Sequence, residues 1–142
     1  MTLKDEETVE WIVIPVNGVT PGKRYGHTIS FVKPNIVLFG GNNGSLVLND
    51  VWTLQVNQTP FTWKKVNFDV SCPPARVYHS ASLCQSGSTK GMIVIFGGRG
   101  SDQKPLNDIW GLRKHRTGNW DWVQAPCKND IIPFPRYQVI KK

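Results

Sequence analysis

The chain has 142 residues, of which 39% are apolar, 19% charged and 11% aromatic, with 13 Gly, 10 Pro and six Trp. That composition supports a hydrophobic core and excludes a disordered tail, and no apolar run approaches the roughly 20 residues of a transmembrane helix. The net charge is +7, but four of the ten acidic residues fall in the first ten positions, leaving 16 Lys and Arg against six Asp and Glu from Trp11 onward.

Residues 1–10 read as an acidic N-terminal segment carrying Asp5, Glu6, Glu7 and Glu10. They lack the basic-then-apolar order of a secretory signal. Residues 11–14, Trp-Ile-Val-Ile, read as the last strand of an earlier unit, followed by a linker to residue 23. The first full unit spans 24–75. Its strand a, 27–32, follows Arg24. Its strand b is the apolar run Ile36-Val37-Leu38-Phe39 ending in Gly40-Gly41, with both faces expected to be buried. Strand c, 50–56, alternates around Trp52, and strand d, 62–66, holds Trp63. The second unit, 76–135, repeats the order: Arg76, His79, a strand ending in Gly97-Gly98, Asp108-Ile109-Trp110, then Trp122. Residues 136–142 start a further unit with Arg136-Tyr137. No window carries capped helical periodicity, so the fold class is all-β.

The period follows from the spacings. Arg24 to Arg76 is 52 residues, Gly40 to Gly97 is 57, Asp50 to Asp108 is 58 and Trp63 to Trp122 is 59. The drift comes from residues 85–91, a polar, Gly-rich insertion expected as an exposed hairpin loop. Three cysteines, Cys72, Cys84 and Cys127, with no C-x-x-C, support neither a disulfide framework nor a zinc site. A reducing compartment fits, which places the chain in the cytoplasm or the nucleus.

Arg-x-x-His, an apolar run closed by Gly-Gly, Asn-Asp-x-Trp and a later lone Trp resemble the kelch repeat, each copy of which is a four-stranded blade of a β-propeller. Residues 111–126 and the segments around Asn49-Asp50-Val51-Trp52 and Pro60-Phe61-Thr62-Trp63 also resemble the kelch-type Ser/Thr protein phosphatases of plants and alveolates. There a kelch propeller precedes the metallophosphatase domain. The motifs Gly-Asp-x-His-Gly, Gly-Asp-x-Val-Asp-Arg-Gly and Gly-Asn-His-Glu do not occur in this chain, so no metal, cofactor or catalytic residue is assigned and the chain is not read as an enzyme.

Residues that recur in register serve the scaffold first. Gly40, Gly41, Gly97 and Gly98 are read as tight turns, and Trp52, Trp63, Trp110 and Trp122 as core. His27 and His79 are equivalents in different sheets and do not form a metal pair. The resemblance implies that a protein partner meets the d–a and b–c loops, which hold Arg24, Tyr25, Asn42, Asn43, Arg76, Tyr78, Arg99, Arg136 and Tyr137. Arg and Tyr are typical interface anchors, and Arg grips carboxylate or phosphate, so an acidic or phosphorylated segment is the expected partner. For Arg24, Arg76 and Arg136 a second reading stays open, in which they tether blades through buried hydrogen bonds. Arg99 stands where the first unit has Asn42 and is the better recognition residue. Nucleic acid or another acidic surface against the basic face is the alternative, with the 113–116 run as its patch. A kelch-scaffold oxidase ranks last, because the Tyr and His residues form no cluster in sequence. Four blades of about 50 residues need about 200, so a chain of this length is expected either to be joined by further blades or to self-associate.

Overall fold

The computed structural model describes residues 7–126. Among these residues eight strands run in chain order: β1 (Thr28–Val32), β2 (Asn35–Asn42), β3 (Val47–Gln55), β4 (Trp63–Val66), β5 (Ser80–Leu83), β6 (Ile93–Phe96), β7 (Ile109–Lys114) and β8 (Trp120–Gln124). They form two four-stranded antiparallel sheets, β1-β2-β3-β4 and β5-β6-β7-β8. The fold is all-β, as the repeat implies. Among the described residues one 3-10 turn, Gly87–Thr89, is present and lies in the exposed insertion. Among the described residues no helix is long and apolar enough to cross a membrane.

Registers give the two faces of each sheet, because cross-strand partners point the same way. Thr28 pairs with Phe39, Val37 with Thr53 and Val51 with Val66, so these share one face of the first sheet. Ala81–Ile95–Trp110 and Leu83–Ile93–Leu112–Trp122 form one face of the second. These two faces meet in the core, where Val37, Phe39 and Val51 pack with Ile93, Ile95, Trp110, Leu112 and Trp122. Phe39 lies 5.0 Å from Trp122, and Trp110 meets Trp122 edge-on at 6.4 Å. Fully burying aromatics of this size dominates the energetics of such a layer.

Strand b differs between the copies. In β2 only Ile36 and Asn42 escape full burial, whereas β6 alternates buried and half-buried. Trp63 also departs from the core expectation. It is half-buried, because it lies with Leu54 on the face of the first sheet turned away from the second. Ile29 and Phe31 share that outer face and are more than half exposed. Residues 11–14, expected as a strand, are exposed and belong to neither sheet. A fourth strand needs a third to pair with, and among the described residues none is supplied. Arg136, Tyr137 and Cys127 lie outside the described residues, while Cys72 and Cys84 are free thiols.

Candidate functional site

The repeated arginines are built into the sheets. The Arg24 side chain is 4% exposed and that of Arg76 is 0% exposed. Arg24 donates two hydrogen bonds to Asp50, at 2.7 and 3.1 Å, one to Gly40 C=O at 3.0 Å, and a further one to Pro21 C=O. Arg76 repeats the arrangement on Asp108, at 2.7 and 2.8 Å, and on Gly97 C=O at 2.9 Å. Each aspartate also accepts the indole N–H of the tryptophan two residues on, at 2.7 Å for both Trp52 and Trp110. Burial pushes the Asp50 and Asp108 carboxyls up, but the hydrogen bonds from arginine and tryptophan and the arginine charge outweigh it and leave both below the ordinary value. The structure therefore commits both guanidinium groups to their own sheet, which corrects the expectation that they offer themselves to a partner. The correction extends to the tether reading, since the side-chain bonds stay within a blade. The link between blades is made by backbone: Gly41 N–H donates to Arg76 C=O at 2.9 Å, and Arg76 N–H to Leu48 C=O at 3.1 Å.

That backbone contact explains the glycine pairs. Gly40 and Gly41 have φ of +68° and +96°, and a β-carbon on Gly41 would sit 2.9 Å from Tyr25 C=O and from the His27 β-carbon. Gly97 and Gly98 repeat the conformation. His79 is likewise a scaffold group. Its Nε2 lies 2.8 Å from the Thr28 hydroxyl of the other sheet, and its ring meets Phe39 edge-on at 5.0 Å. Burial, then the charges of Arg76 and His27, lower its pKa to about 3, so the ring is neutral. Among the described residues no group of three or more His, Cys, Asp or Glu is gathered as metal ligands require.

The remaining site residues do come together. Tyr25 and Asn42 exchange backbone hydrogen bonds at 2.9 Å, and Val77 and Arg99 do so at 3.0 and 2.8 Å, so each d–a loop is zipped to the b–c loop of its own blade. Tyr25 lies 6.2 Å from Tyr78, and the Arg99 guanidinium stands 5.7 Å from the Tyr78 ring centroid. Tyr78 occupies the register position of Gly26, and both are left-handed, with φ of +61° and +68°. The glycine is required where it stands, since a β-carbon there would lie 2.2 Å from Val77 Cγ2. A tyrosine in that conformation costs about 1–2 kcal/mol. Asn42 and Asn43 spend their side-chain carbonyls on the turn, accepting from Gly44 at 2.7 Å and from Ser45 and Leu46 at 2.9 and 2.8 Å. Beside them lies a shallow pocket of about 230 Å³ that Lys23 also lines. Lys23 was missed because it is not repeated; its one signal is a cation adjoining Arg24.

At the other end of the sheets, Arg113 and His115 both reach Asp121 at 2.9 Å, on the exposed β7–β8 hairpin. Asp121 is held below the ordinary carboxylate range by the Arg113 hydrogen bond, with His115 adding to it. The 113–116 run is thus partly neutralised at its own base.

Residues 1–140 match the family described as the KLHDC2/KLHL20/DRC7 Kelch-repeats domain. The chain belongs to the kelch-repeat family. Among relatives, it is 35% identical over 94% of its length to serine/threonine-protein phosphatase BSL2 of Arabidopsis thaliana, covering 12% of that protein. It is 32% identical over 92% of its length to the dynein alpha chain of the flagellar outer arm of Chlamydomonas reinhardtii, covering 3%. To the F-box/kelch-repeat protein At1g51550 of Arabidopsis thaliana it is 36% identical over 85% of its length, covering 25%. The kelch chain thus spans a quarter or less of the curated relatives it matches.

Proposed function

We propose that these kelch repeats form an interaction module that binds a protein segment through the d–a and b–c loops, acting as part of a regulatory or targeting propeller. The observation that carries this reading is the Tyr25–Tyr78–Arg99 cluster. It breaks the repeat at Gly26/Tyr78 and at Asn42/Arg99, and it accepts left-handed backbone at a tyrosine. Residues that depart from the register while the scaffold repeats around them are the ones free to serve recognition. Strain at a loop tip is tolerated where it aims a side chain. Arg99 and Lys23 supply positive charge, which favours an acidic or phosphorylated segment, with tyrosine faces for its apolar side chains. Tyr137 is proposed to extend the same face in the next unit, whereas Arg136 holds the register position of the scaffold residues Arg24 and Arg76.

The likeness to a Ser/Thr phosphatase supports a place in a phosphatase of that kind, in which the blades choose the protein and another domain acts on it. The test is affinity capture with the whole chain, the Arg99→Ala chain and the Tyr78→Ala chain. Partner recovery should fall in both variants. Undiminished recovery in both would remove the d–a and b–c face from the proposal.

A further inference from the structure

The longer loop of the second unit and the basic run at the end of its third strand meet in space. Residues 84–92 join β5 to β6 and residues 115–119 join β7 to β8, at the end of the sheets away from Tyr25 and Arg99. Between them lies an open pocket of about 400 Å³. Lys90, Arg113, Lys114 and Arg116 line it. Ser88 and Thr89 add hydroxyl groups from the loop, and Val32 and Met92 form an apolar wall. The loop is a closed turn. Cys84 N–H donates to Met92 C=O at 2.8 Å, and Gly91 N–H to Cys84 C=O and Met92 N–H to Thr89 C=O at 2.9 Å each. Those bonds hold Ser88, Thr89 and Lys90 in place beside the hairpin.

Two observations set this pocket apart from the scaffold. First, neither of its sides is repeated. The pair Phe31–Ile36 corresponds to Leu83–Ile93, so the short turn 32–35 of the first unit stands where the second has 84–92. Leu54 corresponds to Leu112, so Gln55, Val56, Asn57 and Gln58 stand where the second unit has Arg113, Lys114, His115 and Arg116. The pocket beside the first unit's hairpin, about 200 Å³, has Lys64 as its one charged lining residue. Second, the charge is unanswered. No Asp or Glu lines the pocket. Asp121, on the neighbouring strand, bonds Arg113 and His115. Among the described residues Lys90, Lys114 and Arg116 have no carboxylate partner. Like charges gathered on one pocket repel each other, and an anion held between them removes that repulsion.

The charges and the size select the ligand. One phosphomonoester carries a charge of about −1.5 to −2 at neutral pH. The unpaired Lys90, Lys114 and Arg116 exceed that, so they suit an anion with more than one phosphate. Arg116 presents the planar fork that matches phosphate oxygens, and the Ser88 and Thr89 hydroxyls are further donors. The volume falls at the small end of the range of about 300–1,000 Å³ typical of small-molecule sites. Val32 and Met92 suit the carbon skeleton between the phosphates. No Phe, Tyr or Trp lines the pocket, so a nucleobase finds no stacking surface there. We infer that this pocket is a second binding site, distinct from the Tyr25–Arg99 face, that takes a small polyol carrying two or more phosphates, held between Lys90, Lys114 and Arg116.

The test is a nitrogen-15 NMR titration of the full chain with inositol trisphosphate, with inorganic phosphate, hexaglutamate and an oligouridylate as comparators. Inositol trisphosphate should shift the Thr89 and Gly91 amide signals and saturate. Lys90→Gln and Arg116→Gln should each weaken binding at least about tenfold, as expected for losing a charge-assisted bond. Both side chains are exposed, so both variants should melt as the parent does. The inference fails if inositol trisphosphate moves neither signal, or if both variants bind it as the parent does. It also fails if inorganic phosphate, hexaglutamate or oligouridylate binds there as tightly, since the pocket would then be a general anion surface. Vesicles of phosphatidylcholine with and without phosphatidylinositol bisphosphate distinguish the source. Co-sedimentation that needs the bisphosphate and is lost in Arg116→Gln supports a lipid headgroup, and its absence supports a free molecule. Arg99→Ala should leave the titration unchanged, which separates its outcome from that of the function proposed above.

Discussion

At the scale of single residues, the arginine–aspartate pairs hold the scaffold and the tyrosine cluster is the proposed recognition group. Asp108→Asn leaves the Arg76 charge, 0% exposed, without its counter-ion. Breaking one partner of such a pair costs about 3–5 kcal/mol. We predict a correspondingly large drop in the urea unfolding midpoint. Tyr78→Gly should behave in the opposite way. It relieves the φ of +61° while deleting the ring that meets Tyr25 and Arg99. Its stability should stay within about 1 kcal/mol of the parent, because strain relief offsets the lost contact. His79 gives a pH signature. In the unfolded chain it titrates near 6.5, and in the fold its pKa is lowered to about 3. Below pH 6.5 the unfolded state binds a proton that the fold refuses, so stability falls as pH drops from about 6.5 towards 3, by up to about 1.4 kcal/mol per unit. Asp50 and Asp108 add to this at the acid end. Their lowered values contribute stability above the ordinary carboxylate range that is lost as pH falls through the depressed ones. Unfolding midpoints at several pH values check the slope, and His79→Gln should flatten it between pH 6.5 and 4.

At the scale of elements, much of the architecture could be read from the sequence, because each repeated residue has one job. The strand positions, the Gly-Gly ends and the buried Trp52, Trp110 and Trp122 follow from periodicity and register. What could not be read was which side of a sheet faces a neighbour. Trp63 and Trp122 are equivalents, yet only Trp122 meets another sheet, so repetition alone overstated the burial of Trp63. Charge at Arg24 and Arg76 suggested recognition, although Asp50 and Asp108, just before strand c, were readable from the sequence as acceptors for arginine, and the structure shows those bonds. The left-handed backbone of Tyr78 was hidden by its residue type, although its alignment with Gly26 was the available signal. Gly41→Ala tests the element contact. A β-carbon there meets backbone at 2.9 Å and threatens the Gly41–Arg76 hydrogen bond between sheets. We predict destabilisation of more than about 2 kcal/mol in chemical unfolding, combining strain with the lost bond.

At the scale of the whole molecule, the outer face of the first sheet is the counterpart of the face by which the second sheet packs on it. Ile29, Phe31, Leu54 and Trp63 correspond in register to Ala81, Leu83, Leu112 and Trp122. An apolar face shaped for a neighbouring sheet draws one to it. We predict that this chain alone associates with rising concentration in sedimentation velocity, and that Ile29→Lys with Phe31→Lys suppresses it. A sharp monomer at all concentrations would contradict that expectation. The same two-sheet frame separates scaffold from recognition, and recognition at the d–a and b–c loops is the central claim. Its most direct measurement is a peptide array of acidic, phosphorylated and neutral sequences probed with the parent chain, Tyr78→Gly and Arg99→Ala, each first shown to melt as the parent does. The account predicts that the parent favours acidic or phosphorylated peptides and that both variants lose them. Equal binding of the same peptides by all three proteins would contradict it.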